Sequence, residues 1–177
     1  MSQIYFDHAA TTSMVAPAIK ALAENAAQLG NASSLHSAGR TVRKNLEQAR
    51  EEIAVIADCL PSEIIFTASG TEANNLAIKG LYWRARKSGK KIIITSAFEH
   101  HAVMDPIHWL VEHEDAQLIE VGVDEAGVID VKQFAEIVSK NRDQIALISI
   151  MHSNNEIGTL QPIEELVAIA ASIAFHS

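Results

Sequence analysis

Residues 66–75 read FTASGTEANN and lie at the junction of a predicted strand and a predicted helix. The β-branched and aromatic run at 63–67 predicts a buried strand, and the apolar spacing over 72–86 predicts a helix. Between them, Gly70 permits a tight turn, while Ser69 or Thr71 can cap the helix. A small-residue turn at a helix N-terminus presents free N–H groups and the positive end of the helix dipole. The spacing therefore fits either a phosphate-binding turn or an ordinary capped strand–turn–helix corner.

The composition is that of a globular α/β chain. Of 177 residues, 48% are hydrophobic and 20% are charged, and the formal net charge of −8 argues against nucleic acid or an anionic membrane as a partner. No apolar run approaches the roughly 18 residues of a transmembrane helix, and the first residues lack the features of a signal peptide. The single cysteine, Cys59, excludes an internal disulfide and fits a reducing compartment. We therefore expect a cytoplasmic protein.

Strands and helices alternate after residue 86. Continuous apolar runs, typical of strands covered on both faces, occur at 91–95 and 145–151. The alternation predicts a doubly wound, mainly parallel sheet with right-handed crossovers. The other predicted elements are an N-terminal extended run at 4–12, helices at 16–29, 39–58, 105–114, 130–140 and 163–172, and strands at 117–121 and 173–177.

Three of the predicted helices have a start signal. Pro17 suits the first helical position, Asp105 and Pro106 suit an N-cap and the position after it, and Asp130 suits an N-cap. Helical spacing also predicts an apolar face on two helices, formed at 39–58 by Val42, Leu46, Ala49, Ile53 and Ile56, and at 72–86 by the side that carries Leu76, Lys79, Gly80 and Trp83.

Polar residues follow two of the predicted strands. Glu99, His100 and His101 come after the first, and the sequence HSNNEIGTLQ at 152–161 follows another. Open α/β sheets bind ligands at the carboxyl ends of their strands, so both stretches are candidate site segments. Adjacent histidines beside a glutamate could also indicate a metal, but neighbouring side chains on a strand point apart. We expect no metal site.

The sequence FTASGTEANNLAIKG at 66–80 resembles the cofactor-phosphate loop of the cysteine desulfurases, which belong to the class V aminotransferase family of pyridoxal 5′-phosphate (PLP) enzymes. The resemblance extends from Tyr5 to about His176 and includes YFDHAATT, GNASSLH, EHH and HSNNEIGTLQ. The chain departs from the family pattern at 68–70, where the small residues are shuffled, and at Ser13 and Ala32, where proline is usual. The resemblance implies a three-layer α/β fold with a mainly parallel sheet, the PLP-dependent transferase fold type I.

The same resemblance assigns PLP as cofactor and gives roles to particular residues. Gly70 and Thr71 would bind its phosphate, His100 would stack on its ring and act in catalysis, and Asn155 would donate an amide hydrogen to its phenolic oxygen. Cys59 lies before the phosphate loop rather than in the family's later mobile loop, so we expect it to be structural. On the substrate side, the matching positions are Ala10, Thr11, Asn31 and His36.

The implied activity is removal of sulfur from L-cysteine, which gives alanine and a protein persulfide for iron–sulfur cluster assembly. The family also implies a homodimer and a sulfur-acceptor or scaffold partner. Its Schiff-base lysine, its pyridinium aspartate and its catalytic cysteine have no match here. We therefore expect a truncated large domain that is inactive alone, with 1–15 lining the site and 16–177 forming an incomplete PLP-binding domain.

Three alternatives remain from the sequence. One is another class V enzyme, a selenocysteine lyase or a small aminotransferase. A second is a non-catalytic remnant that binds a partner. A third, nucleotide binding by a Rossmann-type sheet, is disfavoured because neither glycine-rich nucleotide motif is present.

Overall fold

The computed structural model describes residues 4–174 of the chain. The chain divides into two compact units, with the division between Phe66 and Thr67. The boundary predicted after residue 15 separates a segment that lines the site from the cofactor-binding domain. Because it divides the chain by function and not by compact units, it stays a prediction. Among residues 4–174, no helix combines the length and the apolar character that crossing a bilayer requires.

The first unit contains α1 (Ala16–Ala26), α2 (Ser37–Ile56) and a short 3₁₀ helix (Pro61–Glu63). Pro17 lies in the first turn of α1, as predicted, but this helix ends before the predicted Leu29. The predicted apolar face of α2 is largely exposed, since its buried residues are Gly39 and Ala54. Residues 4–12 form no strand and contain a turn at 8–10.

The predicted strand at 63–67 is wrong. Residues 64–67 pair with no strand among the described residues, and Ile65 is 68% exposed. The backbone of Ile64 is extended, with φ −86° and ψ 122°, as its β-branched side chain favours. A strand also needs a partner backbone, which composition does not reveal. Phe66 instead lies 4.8 Å from the guanidinium carbon of Arg50, measured to the ring centroid.

The second unit is built around a parallel sheet in the order β2-β1-β3. All five residues of the central strand β1 are buried. This confirms the doubly wound α/β prediction, and β2 has the predicted bounds. The elements are α3 (Gly70–Arg86), β1 (Ile92–Ser96), α4 (His101–His113), β2 (Gln117–Val121), α5 (Val131–Asn141), β3 (Ile145–Ser149) and α6 (Ile163–Ala174).

Helices cover both faces of this sheet and create two apolar clusters. Ile92 and Ile94 of β1 belong to the cluster that includes Phe134 of α5, whereas Ile93 belongs to the cluster that includes Tyr82 of α3. Successive side chains of a strand alternate between faces, so the apolar run of β1 supplies both cores. The second unit therefore has three layers, with the sheet in the middle.

The bounds and faces of three elements differ from the predictions. The predicted start of α4 at Asp105 is wrong: the helix begins at His101, so that Pro106 lies inside it. In α3 the predicted apolar side is half exposed, and Ile78 and Tyr82 are buried instead. Residues 173–174, predicted as the start of a strand, belong to α6, and the rest of that predicted strand lies outside the described residues.

Candidate functional site

The helices α3 and α4 run in the same direction across one face of the sheet. The Tyr82 hydroxyl of α3 donates to the carbonyl of Glu114 at the end of α4, at 2.8 Å, and Arg86 pairs with the Glu114 carboxylate. Midway along, the Lys79 ammonium lies 4.2 Å from the centroid of the Trp109 ring. Because α4 leads from the end of β1 to the start of β2, both helices begin at the carboxyl edge of the sheet. The turn before α3 and the His100 segment therefore face the same edge.

The turn that begins α3 is held by its own polar side chains. Ser69 caps the helix, since its hydroxyl accepts from the Glu72 N–H at 3.1 Å. The Glu72 carboxylate accepts from the Ala68 N–H at 2.7 Å, and the Thr67 hydroxyl donates to the Ser69 carbonyl at 3.0 Å. Ser69 itself is extended, with φ −161° and ψ 163°, and the helix begins at the next residue.

This turn has the properties that a phosphate site needs. The N–H groups of Gly70 and Thr71 donate to no acceptor within the described part of the chain, and both residues are exposed. A Cβ placed on Gly70 would meet nothing within 4 Å, so the space beside the helix terminus is open. Free N–H groups at the positive end of a 17-residue helix suit an anion.

His100 lies at the carboxyl end of β1 and caps α4. Its Nδ1 accepts from the Ala102 N–H at 2.9 Å, so the neutral ring carries its proton on Nε2. The residue is exposed, and Nε2 is the nitrogen left for a ligand. The cap also explains the corrected start of α4, because it acts five residues before the Asp105–Pro106 signal.

The adjacent asparagines 154 and 155 have different surroundings. Asn154 is buried, and its Oδ1 accepts from the N–H groups of Glu156 and Ile157 at 2.9 and 3.0 Å. Its Nδ2 donates to the carbonyl of Phe98 at 3.2 Å. Asn155 is exposed, and its Nδ2 donates to the Glu156 carboxylate at 2.7 Å. Asn154 thus organises the turn, while Asn155 presents its amide at the surface.

Gln161 anchors the far end of the same loop. The side chain is 5% exposed, its Oε1 accepts from the Ile129 N–H at 2.9 Å, and its Nε2 donates to the Gly127 carbonyl at 2.7 Å. The Thr159 hydroxyl adds a bond to the Ala126 carbonyl at 2.6 Å. The loop 152–161 is therefore tied to the turn that follows β2.

Glu99 belongs to a candidate segment of the sequence, but its role in holding that segment was not predicted. Its Oε1 accepts from the Ser96 hydroxyl at 2.7 Å and from the Met151 N–H at 2.8 Å. Its position could have directed attention to it, because Glu99 is a carboxylate at a strand end and directly precedes the candidate histidine. The structure gives it two structural partners on neighbouring strand ends.

The topology places the candidates of the second unit at one edge of its sheet. Gly70, Thr71, His100 and Asn155 all lie at the carboxyl edge of its sheet. The substrate-side candidates belong to the first unit, where Ala10 and Thr11 are exposed and the Asn31 side chain accepts from the Ser33 N–H at 2.9 Å. Their role at the site stays a prediction.

The remaining substrate-side candidate, His36, and the cysteine expected to be structural, Cys59, also lie in the first unit. The His36 ring accepts from the Gly39 N–H at 3.4 Å and caps α2, and Cys59 is half-buried beyond the end of that helix. Within residues 4–174, no group of three or more His, Cys, Asp or Glu side chains could hold a metal ion.

The fold and the site define a doubly wound α/β protein whose sheet has three features at its carboxyl edge. These are a helix N-terminus with free N–H groups, an exposed imidazole and an exposed carboxamide. The sequence matches the family described as Aminotransferase class-V over residues 4–175. The chain therefore belongs to the class V aminotransferase family, a family of PLP-dependent enzymes.

Curated relatives and solved structures of this family cover nearly the whole chain. An IscS-like cysteine desulfurase of Mycobacterium tuberculosis is 45% identical over 98% of this chain and 45% of its own length. A cysteine desulfurase IscS of Dictyoglomus turgidum is 43% identical over 99% of this chain and 44% of its own. The chain thus spans less than half the length of these relatives.

Two solved structures share the fold. A NifS-like protein superposes with a TM-score of 0.90 at 31% identity, covering 99% of this chain and 47% of its own. A structure described as SspA in complex with cysteine gives a TM-score of 0.86 at 34% identity, covering 95% of this chain and 47% of that one. The expected transferase fold is confirmed by these superpositions.

Proposed function

We propose that the protein is a PLP-dependent cysteine desulfurase and that this chain supplies the part of its site that holds the cofactor. The observation that carries the proposal is the placement of three groups at the same carboxyl edge of the sheet. These are the free N–H groups of Gly70 and Thr71, the Nε2 of His100 and the amide of Asn155. When bound, PLP supplies the electron-withdrawing ring that stabilises charge at the substrate Cα.

Each group has chemistry suited to one part of that cofactor. The N–H groups of Gly70 and Thr71 and the α3 dipole would bind the phosphate. His100 would pack its ring on the pyridine and hold or move a proton at Nε2, because Nδ1 is engaged by Ala102. Asn155 would donate its amide hydrogen to the phenolic oxygen without titrating.

The proposed substrate is L-cysteine. The support is the naming of the relatives as cysteine desulfurases and the structural neighbour described with bound cysteine. The reaction transfers the substrate sulfur to an enzyme cysteine, which gives alanine and a persulfide. We further propose a homodimer, a sulfur-acceptor or scaffold protein for iron–sulfur assembly, and a cytoplasmic location. The roles of Ala10, Thr11, Asn31 and His36 beside the substrate are part of the same proposal.

The binding test uses pyridoxine 5′-phosphate, which has no aldehyde and cannot react with surface lysines. Calorimetric titration of the 177-residue chain is expected to give tighter binding of this ester than of pyridoxine, because only the ester reaches the helix terminus. Equal affinity for both would overturn the proposed phosphate site.

Replacing Gly70 by proline removes the N–H group of residue 70 without breaking α3. Gly70 is the first residue of α3, where proline is tolerated, and the extended Ser69 before it suits a following proline. Gly70→Pro should weaken ester binding about tenfold or more, the loss expected for one hydrogen bond to a charged group. Gly70→Ala keeps the N–H and places its Cβ in open space, so it should bind the ester clearly better than Gly70→Pro. If the two variants bind alike, the N–H group is not a phosphate ligand.

The reaction itself is tested on the protein purified from its native source, by measuring the alanine formed from L-cysteine and the sulfide that an added thiol reductant then releases from the persulfide. Equimolar products that disappear in His100→Ala, but not in the neighbouring His101→Ala, support the assignment. Alanine formation from selenocysteine alone would instead identify a selenocysteine lyase.

A further inference from the structure

We infer that Glu99 is a positioning residue that fixes the spacing between His100 and Asn155, an inference that rests on the proposed function. Glu99 directly precedes His100 in the loop after β1. Its carboxylate reaches across to the segment after β3, which carries Asn155 four residues beyond Met151. One side chain therefore links the two segments that present the imidazole and the amide.

The geometry of the carboxylate supports a linking role. Oε1 accepts from the Ser96 hydroxyl at 2.7 Å and from the Met151 N–H at 2.8 Å. Ser96 is fully buried in the last position of β1, so the first bond anchors Glu99 to the rigid centre of the sheet. Hydrogen bonds to a carboxylate are stronger than those between neutral groups. The bond from the Met151 N–H therefore links Glu99 firmly to the segment that follows β3.

A second bond joins the same two segments beside the first. The Nδ2 of Asn154 donates to the carbonyl of Phe98 at 3.2 Å. Phe98 and Glu99 stand immediately before His100, and Asn154 stands immediately before Asn155. The two ties form a clamp, defined here as Glu99–Met151 and Asn154–Phe98. Little backbone freedom remains between the clamp and the two groups proposed to contact the cofactor.

The clamp predicts a graded response to substitution. Glu99→Ala leaves both the Ser96 hydroxyl and the Met151 N–H without their acceptor. Glu99→Gln keeps an oxygen of the same reach but loses the charge, so it should restore part of the function. Asn154→Asp keeps an acceptor for the Glu156 and Ile157 N–H groups and removes the Nδ2 donor that serves the Phe98 carbonyl and the Met151 sulfur.

The experiment combines amide hydrogen exchange, followed by NMR, with calorimetric titration of pyridoxine 5′-phosphate on the 177-residue chain. In Glu99→Ala, exchange at the Met151 amide should accelerate relative to that at Ile94, a fully buried residue of β1 that reports on global opening. The affinity for the ester should fall about tenfold, and Glu99→Gln should lie between Glu99→Ala and wild type. The matched control is Glu125→Ala, which removes an exposed carboxylate from the turn after β2 and should change neither quantity.

Two results would overturn the inference. Unchanged exchange at Met151 in Glu99→Ala would show that the carboxylate does not hold the β3 segment. Accelerated exchange with unaltered ester affinity would reduce Glu99 to a purely structural residue. Where Glu99→Ala does not fold, Ser96→Ala loosens the anchor of the carboxylate, and it should give the same changes to a smaller degree.

Failure of the proposed function has a different signature. If the wild-type chain binds no pyridoxine 5′-phosphate, the cofactor site is refuted, and the exchange measurement alone decides whether the clamp exists. If wild type binds the ester and Glu99→Ala binds it equally well, the cofactor site stands and the positioning role is refuted.

Discussion

Replacing Gln161 by methionine tests whether the buried carboxamide holds the site loop. Methionine has a similar length and volume but neither donates to the Gly127 carbonyl nor accepts from the Ile129 N–H. Each buried backbone group that loses its partner costs about 1–3 kcal/mol, so the two together cost about 2–6 kcal/mol. Burial of the apolar methionine offsets about 1 kcal/mol of that. We expect a loss of about 3 kcal/mol in the free energy of unfolding.

The assay is urea unfolding followed by the fluorescence of Trp83 and Trp109, which both lie in the second unit. With a urea dependence of about 1.5 kcal/mol per molar, the expected loss lowers the unfolding midpoint by about 2 M. The matched control is Gln117→Met in β2, where the side chain is exposed and the midpoint should hardly move. A shift in Gln161→Met no larger than in the control would refute the reasoning that these two bonds are structural.

Three other substitutions test separate contacts. Tyr82→Phe removes a buried hydrogen bond and should lower stability by about 1 kcal/mol at pH 7. Burial raises the pKa of Tyr82, so wild-type stability should fall as the pH rises above the ordinary phenol pKa of about 10, and the variant should show less of this fall in alkaline urea titrations. The hydrogen bond from Lys91 lowers the pKa of Asp115, so the stability lost in Asp115→Asn should be measurable at pH 7 and vanish as the pH falls through that lowered pKa. Ser69→Ala removes the α3 cap and should cost about 1 kcal/mol, with faster amide exchange at Glu72 as the local readout.

The sheet was predictable because the apolar composition of its strands is enough to indicate them. The run Ile92–Ile94 is apolar on both faces, which is typical of a strand covered on both sides. Asp130 predicted the start of α5 equally well, since its carboxylate accepts from the N–H groups two and three residues later. In both cases the information is local, within a few residues of the element it defines.

The predictions failed where a distant or competing partner decides the structure. The segment 64–67 has strand composition, but pairing depends on a second backbone that its own residues do not specify. For α4, the Asp105–Pro106 signal competes with His100, whose Nδ1 caps the helix five residues earlier. For α3, the spacing of apolar residues predicts a helix with more than one apolar side, and it does not say which side packs on the sheet. In the structure the buried side is that of Ile78 and Tyr82.

In the candidate site, one motif contains both a residue that the sequence predicted and residues whose roles depend on distant partners. The pattern in 152–161 directs attention to Asn155, yet the buried amides in it are Asn154 and Gln161. Each of these two accepts from backbone N–H groups through its oxygen and donates to a backbone carbonyl through its nitrogen. A carboxylate could not donate and an apolar side chain could do neither, whereas a carboxamide meets both demands in a buried place. Because Asn154 and Gln161 hold the backbone, the amide of Asn155 is left at the surface of the loop, where a ligand can reach it.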